Sequence, residues 1–237
     1  MTDSDILHLV QISDTHLHGD PRALAKGVNT FETLCATVAA IGADEEVLDA
    51  VVASGDLSND WSDESYLHFA ELTRALDAPV YALPGNHDDP EQLGRVLRSE
   101  GVYVQSSVDL GAWRLVFLDS VIPEEMNGRL GADKLAALDA ELAGADGRFA
   151  LIFLHHHPVA VGRAWADMLG LADADDFFAV LDRHTHVRGV AWGHIHFGFE
   201  TRRNGVTLAA APSTCMEVVT DPSNGLMFGR LHQRDGR

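Results

Sequence analysis

Five short apolar runs are spaced along the chain, and each is followed directly by polar residues. The runs are Leu7 to Ser13, Leu48 to Gly55, Val80 to Gly85, Phe149 to Leu154, and Val187 to Gly193. Short apolar runs without regular polar alternation are typical of strands that are buried on both faces. The pattern therefore predicts five buried strands with polar side chains at their carboxyl ends.

Segments with helical spacing separate these runs. The predicted helices cover Thr30 to Ile41, Ser62 to Leu76, a segment that starts at Pro90, Gly131 to Leu142, and Asp173 to Leu181. Asn29 with Glu32 resembles a capping box, and Asp89 can cap the helix that Pro90 opens. Further predicted strands are Val102 to Ser107 beside Trp113 to Leu118, and a hairpin of Phe197 to Arg203 with Val206 to Ala210 around Asn204-Gly205. This alternation favours a layered α/β fold.

Size and charge narrow the classes of partner. With 237 residues and 46% hydrophobic content, the chain can form one α/β domain over residues 1–237. The formal net charge of -19 disfavours nucleic acid polymers and anionic membrane surfaces, so we expect a small-molecule substrate. Two cysteines give no disulfide framework, and we see no secretion signal or apolar membrane span. We expect a cytoplasmic monomer or homodimer.

The polar residues after the runs are those that bind metal ions. They are Asp14, His16, Asp56, Asn86, His155, His194 and His196. Ligands of open α/β sheets gather outside the carboxyl ends of the strands, so these side chains can converge. Asp14 and His16, like His194 and His196, are two residues apart, and on an extended chain they would face the same side.

The chemistry of these groups indicates two ions rather than one. Asp56 has two carboxylate oxygens and can bridge two cations. Asn86 offers a neutral oxygen to a metal, whereas His87 must point elsewhere, and we assign it to the substrate. Oxygen and imidazole ligands without thiolates suit Mn, Fe, Co, Ni or Zn.

Each position also has an ordinary explanation. An aspartate at a strand end often caps a helix or forms a turn, and a lone buried histidine is usually a hydrogen-bonded core residue. Asn86 could be a turn residue after Pro84-Gly85, and His155 to His157 could be a solvated run. Taken together, these explanations require a separate coincidence at every strand end, so we favour a metal centre.

In its separated blocks the chain resembles the calcineurin-like metallophosphoesterases. The blocks are Asp14-x-His16, Gly55-Asp56, Gly85-Asn86-His87-Asp88, His155-His156 and Gly193-His194-x-His196. The resemblance implies a four-layer α/β/β/α sandwich with a two-metal centre. It implies one ion held by Asp14, His16, Asp56 and His196, and another held by Asp56, Asn86, His155 and His194. It also implies a catalytic His87 oriented by Asp88, and substrate contacts from Asn86, His87 and His156.

Other segments resemble the class III cyclic nucleotide phosphodiesterases of the bacterial 3',5'-cyclic AMP type. These segments are Ser13 to Leu17, Gly27 to Thr30, the triple His155 to His157 before Pro158, and Ala211 to Cys215. The resemblance implies hydrolysis of 3',5'-cyclic nucleotides by attack of a metal-bridging hydroxide on phosphorus. The alternatives are a broad-specificity phosphodiesterase such as a glycerophosphodiesterase, and a non-catalytic metal-binding scaffold. Asp173 departs from the asparagine we expect in many relatives.

Overall fold

The computed structural model describes residues 7–43, 47–221 and 225–229. The strands are β1 (Leu9–Ile12), β2 (Leu24–Ala25), β3 (Val28–Asn29), β4 (Ala50–Ser54), β5 (Val80–Leu83), β6 (Ser107–Leu110), β7 (Trp113–Leu118), β8 (Phe149–Leu154), β9 (Val187–Trp192), β10 (Phe199–Arg203), β11 (Val206–Ala210), β12 (Glu217–Asp221) and β13 (Gly225–Gly229). The helices are α1 (Thr30–Gly42), α2 (Asp63–Thr73), α3 (Pro90–Ser99), α4 (Gly131–Ala143), α5 (Ala164–Asp167) and α6 (Ala174–Leu181). No helix in the described ranges has the length and apolar character needed to cross a membrane.

Two sheets contain the five apolar runs, so the prediction of five strands is confirmed. The first sheet has the order β1-β4-β5, and its strands are parallel. The second sheet has the order β10-β11-β9-β8-β7-β6. Its central strands β11, β9, β8 and β7 are parallel, and β10 and β6 are antiparallel edges. The predicted hairpin of β10 and β11 is also confirmed, with Asn204 and Gly205 both at positive φ in its two-residue turn.

Three apolar cores separate four layers. In β4, Val51 and Ala53 pack in the core under α1, α2 and α3, whereas Ala50 and Val52 pack in the core between the sheets. Successive residues of a strand face opposite sides, so one strand contributes to both cores. A third core joins the second sheet to α4 and α6 through Leu138, Phe177 and other residues. The architecture is the predicted α/β/β/α sandwich.

An aromatic stack fills the core between the two sheets. The ring of Phe117 lies 5.3 Å from that of Tyr81 and 5.8 Å from that of Phe153, with both pairs close to parallel. We expect Phe117→Ala to lower the free energy of unfolding by about 3–5 kcal/mol, because it leaves a cavity at the centre of the sandwich. Urea unfolding measures this loss. The control is Leu67→Ala on α2, because Leu67 is 39% exposed and its loss should cost little. If Phe117→Ala lowered the free energy of unfolding as little as Leu67→Ala does, the expectation would be contradicted.

Two predicted elements differ from the structure. The segment predicted as a strand over Val102 to Ser107 forms only an isolated bridge between Tyr103 and Tyr81, and the strand beside β7 begins at Ser107. The alternating apolar residues there pack beneath α3 without a continuous ladder partner. The predicted helix Ser62 to Leu76 ends at Thr73 and continues as a 3-10 turn over Arg74–Leu76.

Asp173 lies before α6, but its carboxylate serves a different helix. It accepts hydrogen bonds from the backbone N–H of Leu130 at 3.1 Å and of Gly131 at 2.7 Å, where α4 begins. The first amides of a helix have no intrahelical partner, and a carboxylate also suits the positive end of the helix dipole. The predicted helix at Asp173 is confirmed from Ala174 onward, and Asp173 itself fixes α4 to the loop before α6.

Candidate metal centre

Four predicted ligands meet between the carboxyl ends of β1, β4 and β9. Asp14, His16, Asp56 and His196 form a buried group whose ligand atoms lie within 4.8 Å of one another. His196 Nε2 lies 3.3 Å from Asp14 Oδ1 and 3.2 Å from His16 Nε2. His16 Nε2 lies 3.7 Å from Asp56 Oδ2. The four side chains are able to hold one metal ion.

A second group adjoins the first through Asp56. His155 Nε2 lies 3.3 Å from Asp56 Oδ1 and 3.2 Å from Asn86 Oδ1. His155, His156 and His194 also bring one ring nitrogen each within 4.8 Å of the others. The structure therefore brings together all seven predicted ligands, with Asp56 between the two groups.

The donors fit a metal ion because the imidazoles are already oriented. Nδ1 of His155 lies 2.8 Å from the Ser54 carbonyl oxygen, and Nδ1 of His196 lies 2.9 Å from that of Met216. A ligating histidine commonly bonds through its second ring nitrogen in this way, and its first nitrogen then faces the ion. Nε2 of His194 is buried and has no hydrogen-bond partner among the described residues. A bound cation would satisfy that atom.

His156 differs from the sequence-based assignment. The assignment placed it against substrate, but the side chain is fully buried and does not line the cleft described below. Its Nδ1 lies 2.8 Å from Ser120 Oγ, and its buried Nε2 has no partner among the described residues. His156 thus shares the environment of the candidate metal ligands. Its position in a histidine triple was the only signal in the sequence.

Five of the seven candidate ligands have left-handed backbone conformations. Asp14, His16, Asp56, His194 and His196 have φ between 44° and 67°. The prediction that each Asp-x-His or His-x-His pair shares one side of an extended chain was therefore wrong, although the side chains do converge. Left-handed φ is uncommon outside glycine, and it persists where the surrounding structure fixes it.

Backbone hydrogen bonds fix these strained loops. The N–H of Asp14 donates to Gly55 O at 3.0 Å, and the N–H of His194 donates to the Asp14 carboxylate at 3.0 Å. Gly55 has φ 96°, and a Cβ there would lie 2.5 Å from His155 Nδ1. The missing side chain of Gly55 thus permits this close approach of the backbone to His155.

The charges of the site are those of a cation-binding centre. Burial raises the pKa of Asp56, but His155, His16 and His87 together outweigh burial and hold that pKa well below the usual range. Burial raises the pKa of Asp14 too, but His196 and His155 together outweigh burial and leave that pKa lowered. Burial lowers the pKa of His16 to about 3. Burial lowers the pKa of His155, but the Asp56 carboxylate and other neighbours outweigh burial and raise that pKa to about 9. A metal ion that binds the His155 imidazole would therefore displace a proton from it.

Asp88 does not contact His87 as the resemblance implied. Its buried carboxylate accepts hydrogen bonds from the N–H of Leu57, Ser58 and Gly85 at 2.9 to 3.1 Å, and from Tyr66 Oη at 3.2 Å. Burial and then the nearby Asp56 raise the pKa of Asp88 to about 7. Asp88 therefore joins the loops after β4 and β5, and it acts on the site through the backbone.

His87 lies beside the first group and faces a cleft. Its ring lies 4.9 Å from that of His16 in an edge-to-face arrangement. The backbone N–H of His87 donates to Asp56 Oδ1 at 2.8 Å. The cleft has a volume of about 420 Å³. It is lined by His16, Leu24, Ala25, Lys26, Asp56, Asn59, Asn86, His87, Met126, Trp165, Leu169, His194, His196 and Met216. Five of the predicted metal ligands, all except Asp14 and His155, form its floor, and apolar side chains form much of its wall.

A family profile matches this part of the chain. The profile of the calcineurin-like phosphoesterases matches residues 7–198, which contain both candidate ligand groups. The chain belongs to the calcineurin-like phosphoesterase family. The membership makes it a metal-binding phosphoesterase and confirms the resemblance in the sequence blocks.

Curated relatives extend the similarity over nearly the whole chain. The chain is 36% identical to the 3',5'-cyclic adenosine monophosphate phosphodiesterase CpdA of Pseudomonas aeruginosa, over 100% of this chain and 89% of the relative. It is 36% identical to CpdA of Escherichia coli strain K12, over 92% of this chain and 80% of the relative. It is 34% identical to a 3',5'-cyclic-nucleotide phosphodiesterase of Nostoc, over 89% of this chain and 79% of the relative.

Solved structures show the same phosphoesterase fold. A dimetal phosphatase from Danio rerio has a TM-score of 0.71 and 18% identity, and the match covers 94% of this chain and 91% of that one. A protein from Thermus thermophilus, TT1561, has a TM-score of 0.65 and 13% identity, and the match covers 95% of this chain and 99% of that one. At these identities the likeness extends to the fold alone.

Proposed function

We propose that this phosphoesterase hydrolyses 3',5'-cyclic nucleotides, with cyclic AMP as its substrate type. The observation that carries the proposal is the juxtaposition of two adjoining ligand groups with a partly apolar cleft directly above them. Water is the nucleophile, the bond from phosphorus to one ribose oxygen breaks, and that oxygen leaves with a proton. The curated relatives named as cyclic nucleotide phosphodiesterases support the same substrate class.

Two metal ions are the cofactors of this proposal. Asp14, His16, Asp56 and His196 would hold one, and Asp56, Asn86, His155 and His194 would hold the other, as the resemblance implies. We add His156 as a candidate ligand of the second ion. The ions, of the Mn, Fe, Co, Ni or Zn type, would activate water and neutralise charge on the phosphate.

His87 is the proposed catalytic residue of the chain itself. Its imidazole faces the cleft next to His16, while its backbone is fixed to Asp56. From this position a protonated ring nitrogen can contact a phosphate oxygen and donate its proton to the departing ribose oxygen. Asn86 lies beside it and shares the cleft floor, so it can contact the phosphate group of the substrate as well.

The cleft wall favours a nucleotide over a glycerophosphodiester. Leu24 is 59% exposed and Met126 is 48% exposed, and Trp165 and Leu169 line the same cleft. A nucleobase has an apolar face that would cover such side chains, whereas a glycerol group would leave them in water. Asn59 and Lys26 add polar groups near this wall.

Substrate comparison tests the proposal. Purified protein supplied with Mn is expected to convert cyclic AMP to AMP faster than it hydrolyses a glycerophosphodiester. Product analysis by chromatography measures both rates. Hydrolysis of the glycerophosphodiester without hydrolysis of cyclic AMP would replace the proposal with the broad-specificity alternative. If the protein hydrolysed no phosphodiester in a metal-dependent way, the non-catalytic metal-binding scaffold would be the remaining alternative.

The cleft wall makes a prediction of its own. Met126→Ser and Leu24→Ser are each expected to raise the KM for cyclic AMP roughly fivefold, because each removes an apolar contact with the base. Hydrolysis of dimethyl phosphate, which has no base, should stay unchanged in Leu24→Ser, whereas Met126→Ser also removes the sulfur that accepts from Asn86 Nδ2 at 3.5 Å and should slow it slightly. Met168→Ser is the matched control, since Met168 is 76% exposed and lies outside the cleft. An unchanged KM for cyclic AMP in both cleft variants would show that the apolar wall does not bind the base.

A further inference from the structure

Trp61 is an exposed tryptophan with an unusual backbone conformation, in the same loop as a candidate metal ligand. It is 63% exposed, and it follows the candidate ligand Asp56 in the loop between β4 and α2. Its φ of 57° is left-handed, which is a genuine outlier for a bulky side chain. Strain of this kind persists only when surrounding contacts determine it, and it concentrates at functional sites.

Three hydrogen bonds hold Trp61 in this conformation. Its N–H donates to Ser58 Oγ at 2.9 Å, and its carbonyl oxygen accepts from Gln92 Nε2 at 2.7 Å. Its indole Nε1–H donates to the carbonyl oxygen of His87 at 2.9 Å. An exposed tryptophan gains little from burial, so these bonds rather than apolar packing fix its position.

The third bond completes a clamp on His87. The N–H of His87 donates to Asp56 Oδ1, and its carbonyl oxygen accepts from Trp61. Both backbone polar groups of this residue are therefore bound by side chains from the loop after β4. The imidazole itself is half-buried and projects from this fixed backbone toward His16. A shift of the carbonyl would move the ring relative to the candidate metal groups.

We propose that Trp61 is a positioning residue, whose indole N–H sets the place of the His87 imidazole above the metal groups. The inference rests on the proposed function, because it assigns Trp61 a part in the same hydrolysis. Small displacements of a reacting group cost large factors in rate, so the backbone clamp has a direct kinetic consequence. Trp61 is not itself among the residues that line the cleft, and its contact with the site is the hydrogen bond to the backbone carbonyl of His87.

A double-mutant cycle tests the inference. Trp61→Phe keeps an aromatic ring and removes the N–H donor. We expect kcat/KM for cyclic AMP to fall about tenfold in the otherwise unchanged protein, and to stay the same when Trp61→Phe is added to His87→Ala. The cycle is informative because His87→Ala retains the carbonyl that Trp61 binds. Trp113→Phe in β7 is the matched control and should leave kcat/KM unchanged. Trp61→Phe should have the same metal content and the same thermal unfolding temperature as the unchanged protein.

The outcomes separate the two proposals. If the unchanged protein hydrolyses cyclic AMP and Trp61→Phe has no effect, the positioning role is overturned. It is also overturned if Trp61→Phe lowers kcat/KM equally with and without the His87 side chain, since the effect would then be structural. Trp61→Gly, which relieves the left-handed strain and also lacks the donor, should show the same dependence on His87. An unchanged protein without activity toward cyclic AMP would contradict the proposed function instead.

Discussion

Replacing Asp56 with asparagine is expected to lower metal-dependent hydrolysis of cyclic AMP by more than about 100-fold. Asp56 is 2% exposed, and its two oxygens face His16 and His155, which belong to different ligand groups. Asparagine has nearly the same shape but no charge, so it removes the anion shared by both groups. Changes in residues that only support a ligand cost about 10–100-fold, and loss of a shared ligand should exceed that.

Metal content distinguishes this loss from unfolding. Asp56→Asn should bind less than its full complement of metal by elemental analysis, while its circular dichroism stays that of the folded protein. Asp89→Asn is the control, because Asp89 caps α3 and asparagine caps a helix equally well. Full metal content together with full activity in Asp56→Asn would show that Asp56 bridges nothing.

The positions of the candidate ligands were predictable because parallel strands end at the same edge of a sheet. Asp56 after β4 and His155 after β8 lie in different sheets, yet both approach the same site because the two sheets pack face to face. Apolar runs that end at Gly55 or Leu154 indicate where each strand stops. The sequence therefore predicts both the layered fold and the convergence of the seven side chains.

The local conformations were not predictable from the same pattern. Asp14 and His194 take left-handed φ where a long-range hydrogen bond joins their loops, from the His194 N–H to the Asp14 carboxylate 180 positions away. The family resemblance implied that Asp88 orients His87, whereas its carboxylate is bound by the amides of Leu57 and Gly85. The role of Trp61 has no sequence signal either, since its contact with His87 arises from the packing of two loops.

His87→Ala is expected to lower turnover of cyclic AMP by about 100-fold or more, with metal content unchanged. The side chain lies beside the first ligand group but is outside both ligand sets, so its removal should leave those sets intact. Its backbone bonds to Asp56 and Trp61 do not depend on the imidazole. The expected loss therefore reports on contact with the phosphate and on proton donation to the ribose oxygen.

The leaving group separates these two contributions. A p-nitrophenolate leaves without a proton, whereas a ribose alkoxide needs one, so His87→Ala should slow bis(p-nitrophenyl) phosphate much less than cyclic AMP. Steady-state rates for both substrates give the comparison, and His68→Ala on α2 serves as a histidine control at a distance from the cleft lining. Equal losses on both substrates would assign His87 to phosphate binding alone. Unchanged turnover of cyclic AMP would remove it from the reaction, and with it the reason for the Trp61 clamp.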